Sequence, residues 1–166
     1  MTAGRLRGLP PVVASDARVL ILGSFPGEAS LAAHAYYAHP RNHFWPLLAA
    51  VLDEPLMALP YSARLVRVKA RGVAVWDTII ACTRAGSLDS SIRNAQRGEV
   101  DRIKWRAPGL RLVGFNGVTA ARAEAPWREA GYATLVLPSS SPAHARPFAE
   151  KLAAWCAIAA FLDPTF

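Results

Sequence analysis

Apolar, β-branched residues gather along this chain in four short runs, each closed by turn-forming residues. Residues 18–22 (RVLIL) end at Gly23, and residues 72–80 (GVAVWDTII) end near Cys82. Residues 110–115 (LRLVGF) end at Asn116-Gly117, and residues 133–137 (ATLVL) end at Pro138-Ser139-Ser140-Ser141-Pro142. Runs this short, apolar at nearly every position rather than every second one, predict strands buried on both faces of a parallel sheet. Between them the spacing turns helical. Residues 42–52 set Phe44, Leu47, Leu48 and Val51 on one side, and residues 56–71 and 118–130 are rich in Ala, Leu and Arg. Residues 146–162 carry Phe148, Leu152, Trp155, Ile158 and Leu162 along one stripe. Strand–helix alternation predicts an α/β fold, a three-layer α/β/α sandwich around a four-stranded, mostly parallel central sheet. No repeat or linker interrupts the pattern, so residues 1–166 are expected to form a single domain.

Composition narrows the class of protein. Hydrophobic residues make up 52% of the chain and charged residues 19%, which excludes a disordered chain. The apolar runs are too short or too interrupted to span a bilayer, and residues 1–11 carry no apolar secretory core, so a cytoplasmic location away from membranes is expected. Cys82 and Cys156 are too few for a cysteine cluster; both are read as packing residues, and no metal or cofactor is expected. Nineteen Lys and Arg against twelve Asp and Glu leave a net charge of +7. That balance favours a phosphate-backbone partner whose binding weakens as salt rises.

In a sandwich of this kind the functional loops leave the carboxyl ends of the strands. Here they are residues 23–45, 82–92, 116–118 and 138–146. The first begins Gly23-Ser24-Phe25-Pro26-Gly27 and closes on His39-Pro40-Arg41-Asn42-His43-Phe44-Trp45. It has the spacing of neither a phosphate-binding P-loop nor a dinucleotide fingerprint. Trp45 reads as a core aromatic, whereas Phe44 offers a flat face to a nucleobase. Asn42 suits a helix N-cap, yet His39, Asn42 and His43 fall within one turn, a grouping that suggests water positioning or base reading. In the last loop Ser139 and Ser141 can donate to phosphate, and His144 and Arg146 favour an anion-facing role. Asn116-Gly117 presents donors at a helix start. Asp77, after Trp76, is a carboxylate that needs a partner if buried. Residues 87–89 read as a cap for a helix through Ile92.

Taken together, these loops resemble the uracil-DNA glycosylase superfamily. Gly23-Ser24-Phe25-Pro26-Gly27, Tyr36-Tyr37-Ala38-His39-Pro40-Arg41-Asn42-His43-Phe44-Trp45, Gly86-Ser87-Leu88-Asp89-Ser90, Phe115-Asn116-Gly117 and Leu137-Pro138-Ser139-Ser140-Ser141-Pro142-Ala143 are similar to its DNA-deoxyinosine (hypoxanthine-DNA) glycosylase branch over roughly residues 10–162. The resemblance implies a monomeric, monofunctional enzyme of base excision repair that flips a deaminated base, hypoxanthine above all, out of DNA and hydrolyses its N-glycosidic bond. It implies a catalytic role for Asn42, because Phe25 stands where the uracil-specific branches carry a water-activating Asp or Asn. It further implies base contacts from Phe25, Phe44, Tyr37, His39, Asn116 and Asp77, with stacking on Phe44, and backbone contacts from Ser139, Ser141, His144 and Arg146. The superfamily's leaving-group histidine aligns with Ser139, five residues before His144. Residues 143–146 are where a wedge for the vacated stack is expected. The alternatives are uracil excision from mismatched or single-stranded DNA, or a non-catalytic module that binds damaged DNA.

Overall fold

The computed structural model describes residues 4–164. In chain order the elements begin β1 (Leu6–Arg7), β2 (Val19–Gly23), α1 (Glu28–Ala33), α2 (Phe44–Leu52) and α3 (Tyr61–Ala70). Next come β3 (Val73–Asp77), β4 (Ile79–Thr83), β5 (Arg93–Arg97), α4 (Asp101–Lys104) and β6 (Leu112–Asn116). The chain continues through α5 (Val118–Ala121), α6 (Glu124–Glu129), β7 (Ala133–Leu137) and α7 (Phe148–Trp155), with a 3-10 extension over Cys156–Phe161.

Strands β3-β2-β6-β7, in that spatial order, form one fully parallel sheet. Strands β2, β3 and β6 are buried at every position, as expected where helices cover both faces, while β7 is the partly exposed edge. Alternate side chains feed two cores. Val19, Ile21, Val73, Val75 and Leu112 pack against Leu47, Leu48, Val68 and Trp155 of α2, α3 and α7. Leu20, Leu22, Ala74, Trp76, Val113 and Phe115 pack on the opposite face against Ile103, Ala120 and Trp127 of α4, α5 and α6. The three layers follow. From β2 the chain crosses to β3 on one side, and later runs through β6 to β7 on the other. The carboxyl ends of β2 and β6 therefore flank the place where winding reverses, which is where an open α/β sheet leaves a crevice.

Several expectations are corrected. The run 72–80 is two strands, because β3 stops beside the end of β2 and the chain turns at Thr78. Strand β4 then enters a second sheet of order β1-β4-β5, antiparallel throughout. The helices predicted at 56–71, 118–130 and 146–162 are shorter or divided, and proline supplies a common reason: Pro60 and Pro147 sit at the N-caps of α3 and α7, and Pro126 lies in the first turn of α6. Residues 87–89 cap no helix through Ile92; a single 3-10 turn at Asp89–Ser91 leads into β5. Cys156 is exposed, one position off the buried stripe that ends α7 at Trp155, whereas Cys82 is buried as expected.

Candidate active site

A cleft of about 510 Å³ opens at the carboxyl edge of the parallel sheet. Gly23 through Ser30, Asp77, residues 87–90, Asn116 and Ser139 through His144 line it, together with Tyr36, Tyr37, His39 and Asn42. Nine of the eleven residues expected at the site are therefore brought together: Phe25, Tyr37, His39, Asn42, Asp77, Asn116, Ser139, Ser141 and His144. Phe44 and Arg146 are not among the lining residues.

The first loop leaves β2 at Gly23, and glycine is required there. A Cβ would run into a carboxylate oxygen of Asp77 and lie 2.7 Å from the Tyr37 hydroxyl. Phe25 is 7% exposed; it packs with Ile79 and Cys82 and lies under the Arg84 guanidinium, 5.1 Å from the ring centre. The buried Arg84 donates to the carbonyls of Pro26 and Gly86. Ser24 Oγ donates to Asp89 at 2.7 Å, and Ser87 Oγ accepts from the Glu28 amide at 2.9 Å. The segment read as a helix cap is instead the strap that fastens the first loop.

Tyr37 and Phe44 stack face to face, 3.8 Å apart and 14° from parallel. Phe44 has no accessible surface, because it starts α2 and is wedged edge-on against Trp45 and Trp155. The ring that faces the cleft is Tyr37, with the left-handed backbone angle φ +54° that an aromatic residue rarely adopts. The stack and a hydrogen bond from Asn116 Nδ2 to its hydroxyl hold it there. Tyr36, by contrast, is a core residue whose hydroxyl donates into the carbonyls of Leu9 and Pro10.

Asn42, expected as an N-cap, lies one residue before the N-cap His43 of α2; its Oδ1 accepts the Phe44 amide at 2.9 Å in a local turn, and its Nδ2 has no partner among the described residues. The amide is thus pinned at its acceptor end with its donor end free. His39, exposed at the rim, accepts the Arg41 amide at Nδ1.

The serine loop is braced from several directions. Ser140, 1% exposed, exchanges two bonds with Asn116: its amide donates to Oδ1 at 2.8 Å and its Oγ accepts from Nδ2 at 2.9 Å. Its carbonyl accepts from the His43 amide. Ser139 Oγ and Ser141 Oγ each accept a local backbone amide, which leaves their hydroxyl protons free for an incoming acceptor. The fully buried Lys151 lies 3.3 Å from both the Ser141 carbonyl and His43 Nδ1, and burial lowers the pKa of both side chains. Sequence reasoning missed Ser140, Lys151, Arg84 and Asp89. Lys151 carried a readable signal, since it falls on the apolar stripe between Phe148 and Trp155. Arg146 is exposed and lies 3.8 Å from Glu150.

Asp77 ends β3 beside the cleft, 5% exposed, and its Oδ2 is closed to solvent with no hydrogen-bond partner among the described residues. Burial, reinforced by the nearby Asp89 carboxylate and opposed by Arg84, pushes its pKa up to about 7. Among the described residues no group of three His, Cys, Asp or Glu could hold a metal ion, and no helix is long and apolar enough to cross a membrane.

Residues 10–162 match the Uracil DNA glycosylase superfamily. The chain is 38% identical to a hypoxanthine DNA glycosylase of Methanosarcina barkeri over 149 residues, covering 90% of this chain and 94% of that one. It is 37% identical to a hypoxanthine DNA glycosylase of Methanosarcina acetivorans over 152 residues, covering 92% and 96%. The solution NMR structure of a candidate uracil DNA glycosylase from M. acetivorans superposes with a TM-score of 0.86 at 36% identity, covering 94% of this chain and 97% of that one.

Proposed function

The chain belongs to the uracil DNA glycosylase superfamily, and on that premise we propose that it excises hypoxanthine from deoxyinosine in DNA, acting as a monomer without a cofactor. Two relatives that each cover about nine-tenths of the chain bear that activity in their names. The observation that carries the site assignment is the pinned amide of Asn42 on the same cleft as the half-buried ring of Tyr37.

The flipped base stacks on Tyr37, and Phe44 supports Tyr37 from behind. Ser139 and Ser141 donate to flanking phosphates, with His144 at the rim and Arg146 just outside. When the bond between C1′ and the purine nitrogen breaks, its electron pair stays on the base and water adds to C1′, losing a proton to solvent. The free group of Asn42 is a donor. A donor suits the electron-rich departing purine better than the attacking water, whose lone pair must stay available. Phe25 offers no polar group, so residues 23–27 at the start of the first loop contribute shape rather than acid–base chemistry. No lysine lines the cleft among the described residues, which favours simple hydrolysis that leaves an intact abasic strand.

Duplexes containing hypoxanthine, uracil or xanthine test the reading directly. Hypoxanthine is expected to be released fastest, and Asn42→Ala is expected to slow its release at least about 100-fold, the scale of one lost transition-state donor. Faster release of uracil would move the assignment to the uracil-excising branch. Salt-dependent binding with no abasic product would make the protein a binding module.

A further inference from the structure

We propose that the outer face of the β1-β4-β5 sheet is a second DNA contact, a track for the phosphate backbone of the duplex on one side of the lesion. The inference rests on the reading that the cleft takes a nucleotide from DNA, and it names a surface beyond the loops of that cleft.

The small sheet has two unlike faces. Leu6, Cys82 and Ile92 turn inward and pack with Phe25 and Ile79 behind the first loop. The other face is polar. Arg5, just before β1, reaches across β4 to β5, where it donates to the Asn94 carbonyl at 3.0 Å and to Gln96 Oε1 at 3.5 Å. Asn94 Nδ2 donates in turn to Thr83 Oγ1. Arg7 is exposed and, two residues from Arg5 with the inward Leu6 between them, shares its side of the strand. Arg93, at the start of β5, donates to the carbonyls of Ser90 and Ile92.

Charge decides what kind of partner fits this face. Six arginines elsewhere in the chain are ion-paired with Asp or Glu. Arg5, Arg7 and Arg93 have no such partner among the described residues, and β1, β4 and β5 contain no acidic residue. A carbonyl fixes a guanidinium without neutralising it, so Arg5 and Arg93 are held in place with their charge uncompensated. The occupant is therefore an anion. No aromatic residue lies on the three strands, so the face offers nothing for a base to stack on, while Arg, Asn, Gln and Thr suit phosphate and sugar oxygens. Continuity points to the same strand of DNA that enters the cleft. The strap between β4 and β5 lines the cleft at residues 87–90, so the face begins where the flipped nucleotide enters. The five residues of β5 extend about 17 Å, the rise of roughly five base pairs.

Fluorescence anisotropy tests the proposal with deoxyinosine duplexes in which one flank or the other is cut from about twelve base pairs to about three. The wild type is expected to bind about tenfold more weakly when one particular flank is cut, and to tolerate loss of the other. The Arg5→Ala, Arg7→Ala double variant is expected to bind the long duplex about tenfold more weakly, to lower the slope of log K against log salt by about two, and to lose the flank dependence. The Arg5→Lys, Arg7→Lys double variant is expected to keep most of the affinity, which a loss due to misfolding would not allow. Single-turnover excision at saturating protein is expected to stay within about twofold of wild type, because the chemistry lies in the cleft. Arg7→Ala alone, whose side chain makes no hydrogen bond within the described residues, should lower the slope by about one without disturbing the sheet. Unchanged affinity in the double alanine variant overturns the proposal; its arginines would then serve only to keep the edge strand β5 from pairing with another chain. An equal loss in Arg111→Ala also overturns it, since net charge rather than this face would be responsible. Flank dependence without hypoxanthine release counts against the preceding functional reading alone, and hypoxanthine release without flank dependence counts against this face alone.

Discussion

Asp77 shows how the burial of one side chain makes folding depend on pH. Its carboxyl binds a proton more tightly in the folded protein than in the unfolded chain, with a pKa raised from 3.8 to about 7. The stability it contributes is complete below about pH 4, is lost as pH rises toward 7, and changes little beyond. Asp77→Asn is free of this term. Its melting temperature is expected to match or trail that of the wild type near pH 4 and to exceed it by several degrees at pH 8, as thermal unfolding followed by circular dichroism will show. A variant that melts lower than wild type at pH 8 would mean that the carboxylate has a stabilising partner. An unpartnered carboxyl at the end of a buried strand lowers stability at neutral pH, which makes Asp77 a candidate for a role beyond packing.

Among the elements, the end of β6 and the serine loop behave as one unit. Asn116→Ala leaves the buried Ser140 amide without its acceptor and frees the Tyr37 hydroxyl. The loss of an acceptor at a buried donor costs about 2 kcal/mol, or roughly 4–8 °C in melting temperature for a chain of this length. Calorimetry on that variant checks the figure; an unchanged melting temperature would show that the loop is held by Lys151 and Trp155 instead. What could be read in advance at this scale followed from local chemistry. The strands at 18–22 and 110–115 and the apolar faces of α2 and α7 were legible because burial leaves a direct pattern in residue type. The division of 72–80 was not, since Trp76-Asp77-Thr78-Ile79 is as apolar on one side of the break as on the other. What turns the chain there is that Thr78 and Ile79 bond to the carbonyls of Gly23 and Ser24, a partner more than fifty residues away. For the same reason residue type alone did not tell Tyr37 from Phe44. Both are aromatics of the segment that leads from α1 into α2, and only packing puts one against Trp155 and the other against the cleft. Likewise, three identical serines conceal that the middle one is structural.

For the molecule as a whole, the net charge of +7 and the cleft's place at one edge of the sheet set how it meets DNA. Affinity for duplex DNA is expected to fall steeply with salt. Arg146→Ala, at a proposed phosphate contact, is expected to lower the slope of log K against log salt by about one, for any sequence. Arg111 precedes β6 at the opposite edge, where it pairs with Asp163, so Arg111→Ala should leave the slope unchanged. Fluorescence anisotropy across a salt series distinguishes the two; equal effects would mean that the whole surface, not the cleft edge, attracts DNA. The bracing of the last loop has one more consequence, for how the protein can be altered. Ser139 through Ser141 are tied to a strand end and two helices, so an insertion there would dismantle the pocket. The neighbouring stretch from Ala143 to Pro147 is exposed and carries few such ties. New reach toward the opposite strand of a duplex, whether gained by drift or by grafting, has room to be added at that stretch while the chemistry below is left untouched.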